Sequence, residues 1–189
     1  MIRNTYKRKS FRPLLILILF VAGLTSSTAA AQSLARTHCG VDPNQPWQRV
    51  FANTDEKQGW REYRKVEEIP EVALGSGEYA YLWLGPNHSL LIRIEEPTED
   101  FAIYSDYCLD RAGRLVQLRF EVRTAWGWGY REERSLSKGL SMPKTSEFFS
   151  TQTEQSIPRP EMADDIPEAL RPRLYKRKSQ LPFAKLLSR

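Results

Sequence analysis

The middle of this 189-residue chain predicts a mainly β fold, a small antiparallel meander curled into a half-barrel or a bent sheet. Two observations carry that expectation. Segments between Tyr79 and Leu136 repeat side-chain character every second residue, the period of a strand and not of a helix. They are also joined by very short turn sequences, which connect antiparallel neighbours and leave no room for crossover helices. A short N-terminal helix and a disordered C-terminal tail complete the expected architecture.

Pro46 precedes Trp47, Val50 and Phe51, an i, i+3, i+4 apolar set that predicts a short helix ending before Gly59. Trp60 to Val66 has apolar residues three apart and fits either a helix or an edge strand. From Tyr79 to Leu84, aromatic residues (Tyr79, Tyr81, Trp83) alternate with Ala80, Leu82 and Leu84, so both faces of this strand want cover. Gly85-Pro86-Asn87 is a turn. Leu90, Ile92 and Ile94 then alternate with Leu91, Arg93 and Glu95, and Phe101 to Leu109 follows as a third strand. In the fourth, Val116, Leu118, Phe120 and Val122 point one way and Gln117, Arg119, Glu121 and Arg123 the other. Tyr130 to Leu136 makes a fifth.

The hairpin between the third and fourth strands has two competing registers. Asp110-Arg111-Ala112-Gly113 suits a type I turn with a glycine bulge, which pairs Asp110 with Arg114 and sets Asp106 opposite Leu118 on an apolar face. A register one residue different turns Phe101, Ile103 and Tyr107 to the core and Asp106 to solvent. Turn chemistry favours the first and apolar alternation the second.

Residues 1–31 have the order of a secretory leader: basic Arg3, Lys7, Arg8, Lys9 and Arg12, an apolar run from Leu14 to Leu24, then small residues ending in Ala29-Ala30-Ala31. The apolar run spans only about half of a hydrocarbon core roughly 30 Å thick. Cleavage near Ala31 and a secreted or periplasmic destination are expected. The chain has 28 Lys and Arg against 23 Asp and Glu, and the leader's five basic residues account for the whole excess. The remainder is neutral, which makes nucleic acid an unlikely partner. It is nonetheless polarised: basic residues and no acids lie between Arg171 and Arg189. Cys39 and Cys108 are an even pair in an exported chain and are expected to form one disulfide. The expected domains are therefore the leader, a stapled β domain over residues 32–138, and a Pro/Ser/Thr-rich linker with a basic tail over residues 139–189.

The most distinctive string is Trp126-Gly127-Trp128-Gly129-Tyr130. If the fourth strand continues through it, Trp126, Trp128 and Tyr130 share a face and form an aromatic platform able to stack on a ligand. The same rings equally suit a core, with the glycines admitting a close neighbour. His38 and His88 are the only histidines, and neither lies in a nucleophile elbow or a metal-binding spacing. Asn87-His88-Ser89 matches a glycosylation acceptor on a turn. Glu95, Glu96, Glu99, Asp100, Asp106 and Asp110 cluster in sequence, and glycoside hydrolysis needs only two carboxyl groups with one pKa raised.

These readings predict no catalytic set, no cofactor and no metal. The function expected first is an exported, non-enzymatic binding or interaction module of the cell envelope. Trp126, Trp128 and Tyr130 would make domain contacts, and Arg173, Lys176, Arg177 and Lys178 would hold an envelope polymer, an anionic membrane surface or a protein partner. The alternative is a carbohydrate-active hydrolase using two of Glu95, Asp100 and Asp106. A half-barrel carrying a lipid is the third.

Overall fold

A computed structural model of the protein describes residues 39–42, 44–54, 59–70, 77–136, 142–161, 163 and 173–188. The expected leader and its cleavage site lie outside them. Nine strands form one open antiparallel sheet in the order β2-β1-β3-β4-β5-β6-β7-β8-β9. Their ranges are β1 Arg49–Asn53, β2 Trp60–Tyr63, β3 Glu78–Leu84, β4 Leu90–Pro97 and β5 Phe101–Leu109, then β6 Leu115–Thr124, β7 Trp128–Ser135, β8 Met142–Ser150 and β9 Ser156–Ile157. From β3 onward every strand pairs with the next in sequence, so the meander is observed.

The expected N-terminal helix is a strand, β1. Val50 and Phe51 are both fully buried, but on opposite faces: Val50 packs with Ala52, Ile69 and Tyr79, and Phe51 joins Ala80, Ile94 and Tyr107. A strand covered on both sides shows adjacent apolar residues, which imitate a helical face in a short window. Trp60 to Tyr63 is the edge strand β2, paired with β1.

The expected disordered tail is corrected over its described residues, 142–161, 163 and 173–188, and the rest of 139–189 lies outside them. β8 adds to β7 from Ser135↔Met142 to Trp128↔Ser150. Residues 173–188 cross the apolar face of the sheet and return. The Tyr107 hydroxyl donates to the Arg173 carbonyl at 2.6 Å, and the Leu115 N–H donates to the Lys176 carbonyl at 3.0 Å. The Lys178 N–H donates to Gly113 at 2.7 Å, and the segment then turns back to bury Leu181, Phe183 and Leu187 in the main core. Phe183 stacks on Phe51 at 4.8 Å between ring centroids and meets Trp60 at the same distance. Low apolar density hid these few anchors.

A bulge reconciles the two hairpin registers. Gly113 has φ +70°, which glycine adopts without strain, and Asp110 and Arg114 pair as the turn chemistry requires. Between Cys108 and Leu109 the register then slips, so Leu109 faces Leu115 while Cys108 faces Gln117. Ile103 and Tyr107 consequently join Leu118, Phe120 and Val122 on the apolar face, and Asp106 lies opposite Arg119. Val116, the extra residue, is 41% exposed instead of joining that row.

Cys39 and Cys108 are joined, pinning the segment before β1 to the C-terminal end of β5 across 69 residues. The bond closes a long loop in the unfolded chain, so the double substitution Cys39→Ser/Cys108→Ser should lower stability by about 2–4 kcal/mol. Urea denaturation of the oxidised protein and the variant measures this. A disulfide is consistent with an oxidising compartment. No helix among the described residues is long and apolar enough to cross a membrane.

Candidate functional site

The two faces of the sheet are finished differently. One carries the main core and the returning C-terminal segment. On the other, aromatic and aliphatic cover from Trp47, Val66 and Ile69 shields β1 and β3, while β4 to β8 carry a lattice of opposite charges. Strand register builds this lattice: Arg93, Asp106, Arg119 and Glu133 stand in one cross-strand row, with Glu95, Tyr104, Glu121, Arg131 and Glu147 in the next.

Asp106 is 3% exposed and holds Arg93 with both oxygens, at 2.7 and 2.9 Å. Glu121, also buried, sits between Arg119 and Arg123 at 3.2 and 2.5 Å. Arg131 and Arg123 lie over the Phe149 ring, with their guanidinium carbons 4.6 and 5.4 Å from its centroid. Long arginine side chains therefore roof this half of the sheet, their stems dry and their heads paired.

The carboxylates clustered in sequence are dispersed by this geometry. Glu95 and Asp106 share the charged face, whereas Glu96 lies on the opposite one. Glu99 and Asp100 are exposed in the β4–β5 loop, and Asp110 belongs to the hairpin turn, paired with Arg114. Burial pushes the Glu95 carboxyl above its usual range, opposed by Arg93 and reinforced by Asp106. The folded protein thus binds this proton more tightly than the unfolded chain, and the glutamate charge costs stability as pH rises past the ordinary range. Glu95→Gln should be more stable than wild type at neutral pH, with the difference closing on acidification. Urea midpoints measured against pH would show it.

Ala125-Trp126-Gly127 is the hairpin tip between β6 and β7, and Trp128 opens β7, so the fourth strand does not continue through the string. Trp128 and Tyr130 share the face of Val122 and both touch the Phe148 ring, Trp128 at 6.1 Å between centroids, but Trp128 is buried and only Trp126 is largely exposed. Trp126 is 53% exposed at the tip, stacked on buried Trp128 at 6.5 Å, and Tyr130 packs against Phe148 at 5.2 Å. Gly129 meets a close neighbour: a Cβ there would overlap the Phe149 ring. No protein-family model matches the chain, and no curated protein or solved structure shows significant similarity to it.

The basic residues of the C-terminal segment fall in different places. Arg173 pairs with Glu78 at 3.3 Å. Lys178 donates its amine to the Leu187 carbonyl at 3.3 Å. Lys176 and Arg177 remain exposed where the segment turns, and Arg177 forms a β-bridge with Arg114 of the β5–β6 hairpin. Arg111 and Arg114 are exposed beside them. The sequence reading missed these two because the cluster joins segments some sixty residues apart, and only tertiary pairing brings them together. His88 is an exposed turn residue with φ +61°, and His38 lies outside the described residues. Among the described residues, no three His, Cys, Asp or Glu side chains assemble as metal ligands.

Proposed function

We propose that this chain is an exported, non-enzymatic binding module of the cell envelope, which holds an anionic surface through the cluster of Arg111, Arg114, Lys176 and Arg177. The observation that carries this reading is the Arg114–Arg177 bridge, which fixes tail and hairpin cations on one rigid end of the sheet. A preformed cluster binds without the entropy cost of ordering a loose tail. Trp126, exposed at the opposite hairpin tip, supplies a second contact for a ring or an apolar group.

Export is part of the proposal. The disulfide favours it, and N-terminal sequencing of the recovered protein should find Gln32 as its first residue. Co-sedimentation with isolated cell-wall polymer and with anionic vesicles, at varied salt, tests the binding. Salt-sensitive sedimentation with either one supports the module, and sedimentation with neither rejects it.

The raised Glu95 favours a second reading, a carbohydrate-active hydrolase with Glu95 as general acid. Against it, Asp106 is committed at both oxygens to Arg93. Turnover of cell-wall polysaccharide by wild type and its loss in Glu95→Gln would establish the hydrolase.

A further inference from the structure

The basic end of the sheet also carries its exposed aliphatic side chains. Register places Leu84, Leu90, Leu109 and Leu115 in one row across β3 to β6, at the end where the Asp110–Arg114 turn begins. Leu84 at the outer side of this row is 60% exposed, and Val116 is lifted out by the bulge. An isolated exposed leucine needs no explanation, but here two apolar side chains flank four exposed cations on the same end. Asp110 pairs with Arg114 at 2.8 Å, and Asp42 accepts the Asn44 N–H at 2.9 Å. Arg111, Lys176 and Arg177 have no carboxylate partner among the described residues.

We infer that this end docks onto a bilayer containing anionic phospholipid, with Leu84 and Val116 entering the interface and Arg111, Arg114, Lys176 and Arg177 lying among the headgroups. The inference rests on the binding-module reading and narrows its partner to lipid. Charge complementarity selects an anionic surface, since each cation near such a surface contributes about 1 kcal/mol. The two aliphatic side chains select lipid over a hydrated acidic polymer, because only a bilayer offers them an apolar medium. The end is also braced: Cys39–Cys108 ties it on one side, and the Leu115–Lys176 and Lys178–Gly113 backbone hydrogen bonds tie it on the other.

The test is partition of the full chain onto vesicles of phosphatidylglycerol with phosphatidylcholine, and onto phosphatidylcholine alone. The protein and its variants are compared in the same exported form, with the same N-terminus, so differences between them report the end of the sheet. Lys176→Gln/Arg177→Gln should weaken partition onto the anionic vesicles about 30-fold, at ~1 kcal/mol per charge. Leu84→Ser, a substitution at an exposed position, should weaken it about tenfold. Unchanged thermal melting shows that each variant is folded. Anionic-vesicle binding that ignores both variants overturns the inference. Binding to isolated wall polymer but not to vesicles also overturns it, while leaving the binding module standing. Binding to neither removes both.

Discussion

Truncating Phe183 to alanine is expected to destabilise the protein by about 3–5 kcal/mol, the range for removing a fully buried aromatic side chain. The ring is 1% exposed, stacked on Phe51 and set against Trp60, so its loss leaves a cavity between the sheet and its covering segment. Denaturant unfolding gives the magnitude, and a single cooperative transition in wild type would show that segment and sheet melt together. A near-neutral Phe183→Ala would mean that residues 173–188 are an accessory. Deleting the segment should have a still larger effect, because it exposes the apolar side chains of β1 and β3 to β6 together.

Asp106→Ala is expected to cost about 3 kcal/mol, toward the low end for breaking a buried ion pair. Asp106 is buried while Arg93 keeps a quarter of its side chain in contact with solvent, so the stranded guanidinium is partly hydrated. The informative companion is Arg93→Met/Asp106→Leu. Removing both charges eliminates the desolvation cost along with the attraction, and the double variant should recover most of the loss. If it is as unstable as Asp106→Ala, the pair is needed by the wider lattice of Arg119, Glu121 and Arg123. Thermal and urea unfolding of the three variants decides between these outcomes.

The strands from Tyr79 to Ser135 were legible because each is longer than its turns and keeps a period of two. Three features escaped for distinct physical reasons. β1 is buried on both faces, so Val50 beside Phe51 looked like part of a helical stripe. The C-terminal segment contributes a few large side chains over a long stretch, too sparsely for any period to register. The hairpin posed a choice between turn and strand that neither signal alone could settle, because a bulge lets both be satisfied. Of the candidate sites, the cysteine pair was legible from its count and setting. The exposed basic cluster was half legible: Lys176 and Arg177 stood out in a basic run, whereas Arg111 and Arg114 read as ordinary turn residues until the tail was seen to pair with them.

The way residues 173–188 return across the sheet also sets a timetable for folding. Hairpins from β3 to β8 join neighbours in sequence and can form early. The Arg49 guanidinium, by contrast, donates to the Leu186 carbonyl at 2.7 Å across 137 residues, and Phe51 meets Phe183 across a similar span. Contacts of such separation require a large loop to close before they return any stabilisation. The covering of the sheet's leucine- and isoleucine-rich face is therefore expected to come late in folding, leaving that face open to aggregation until it is made.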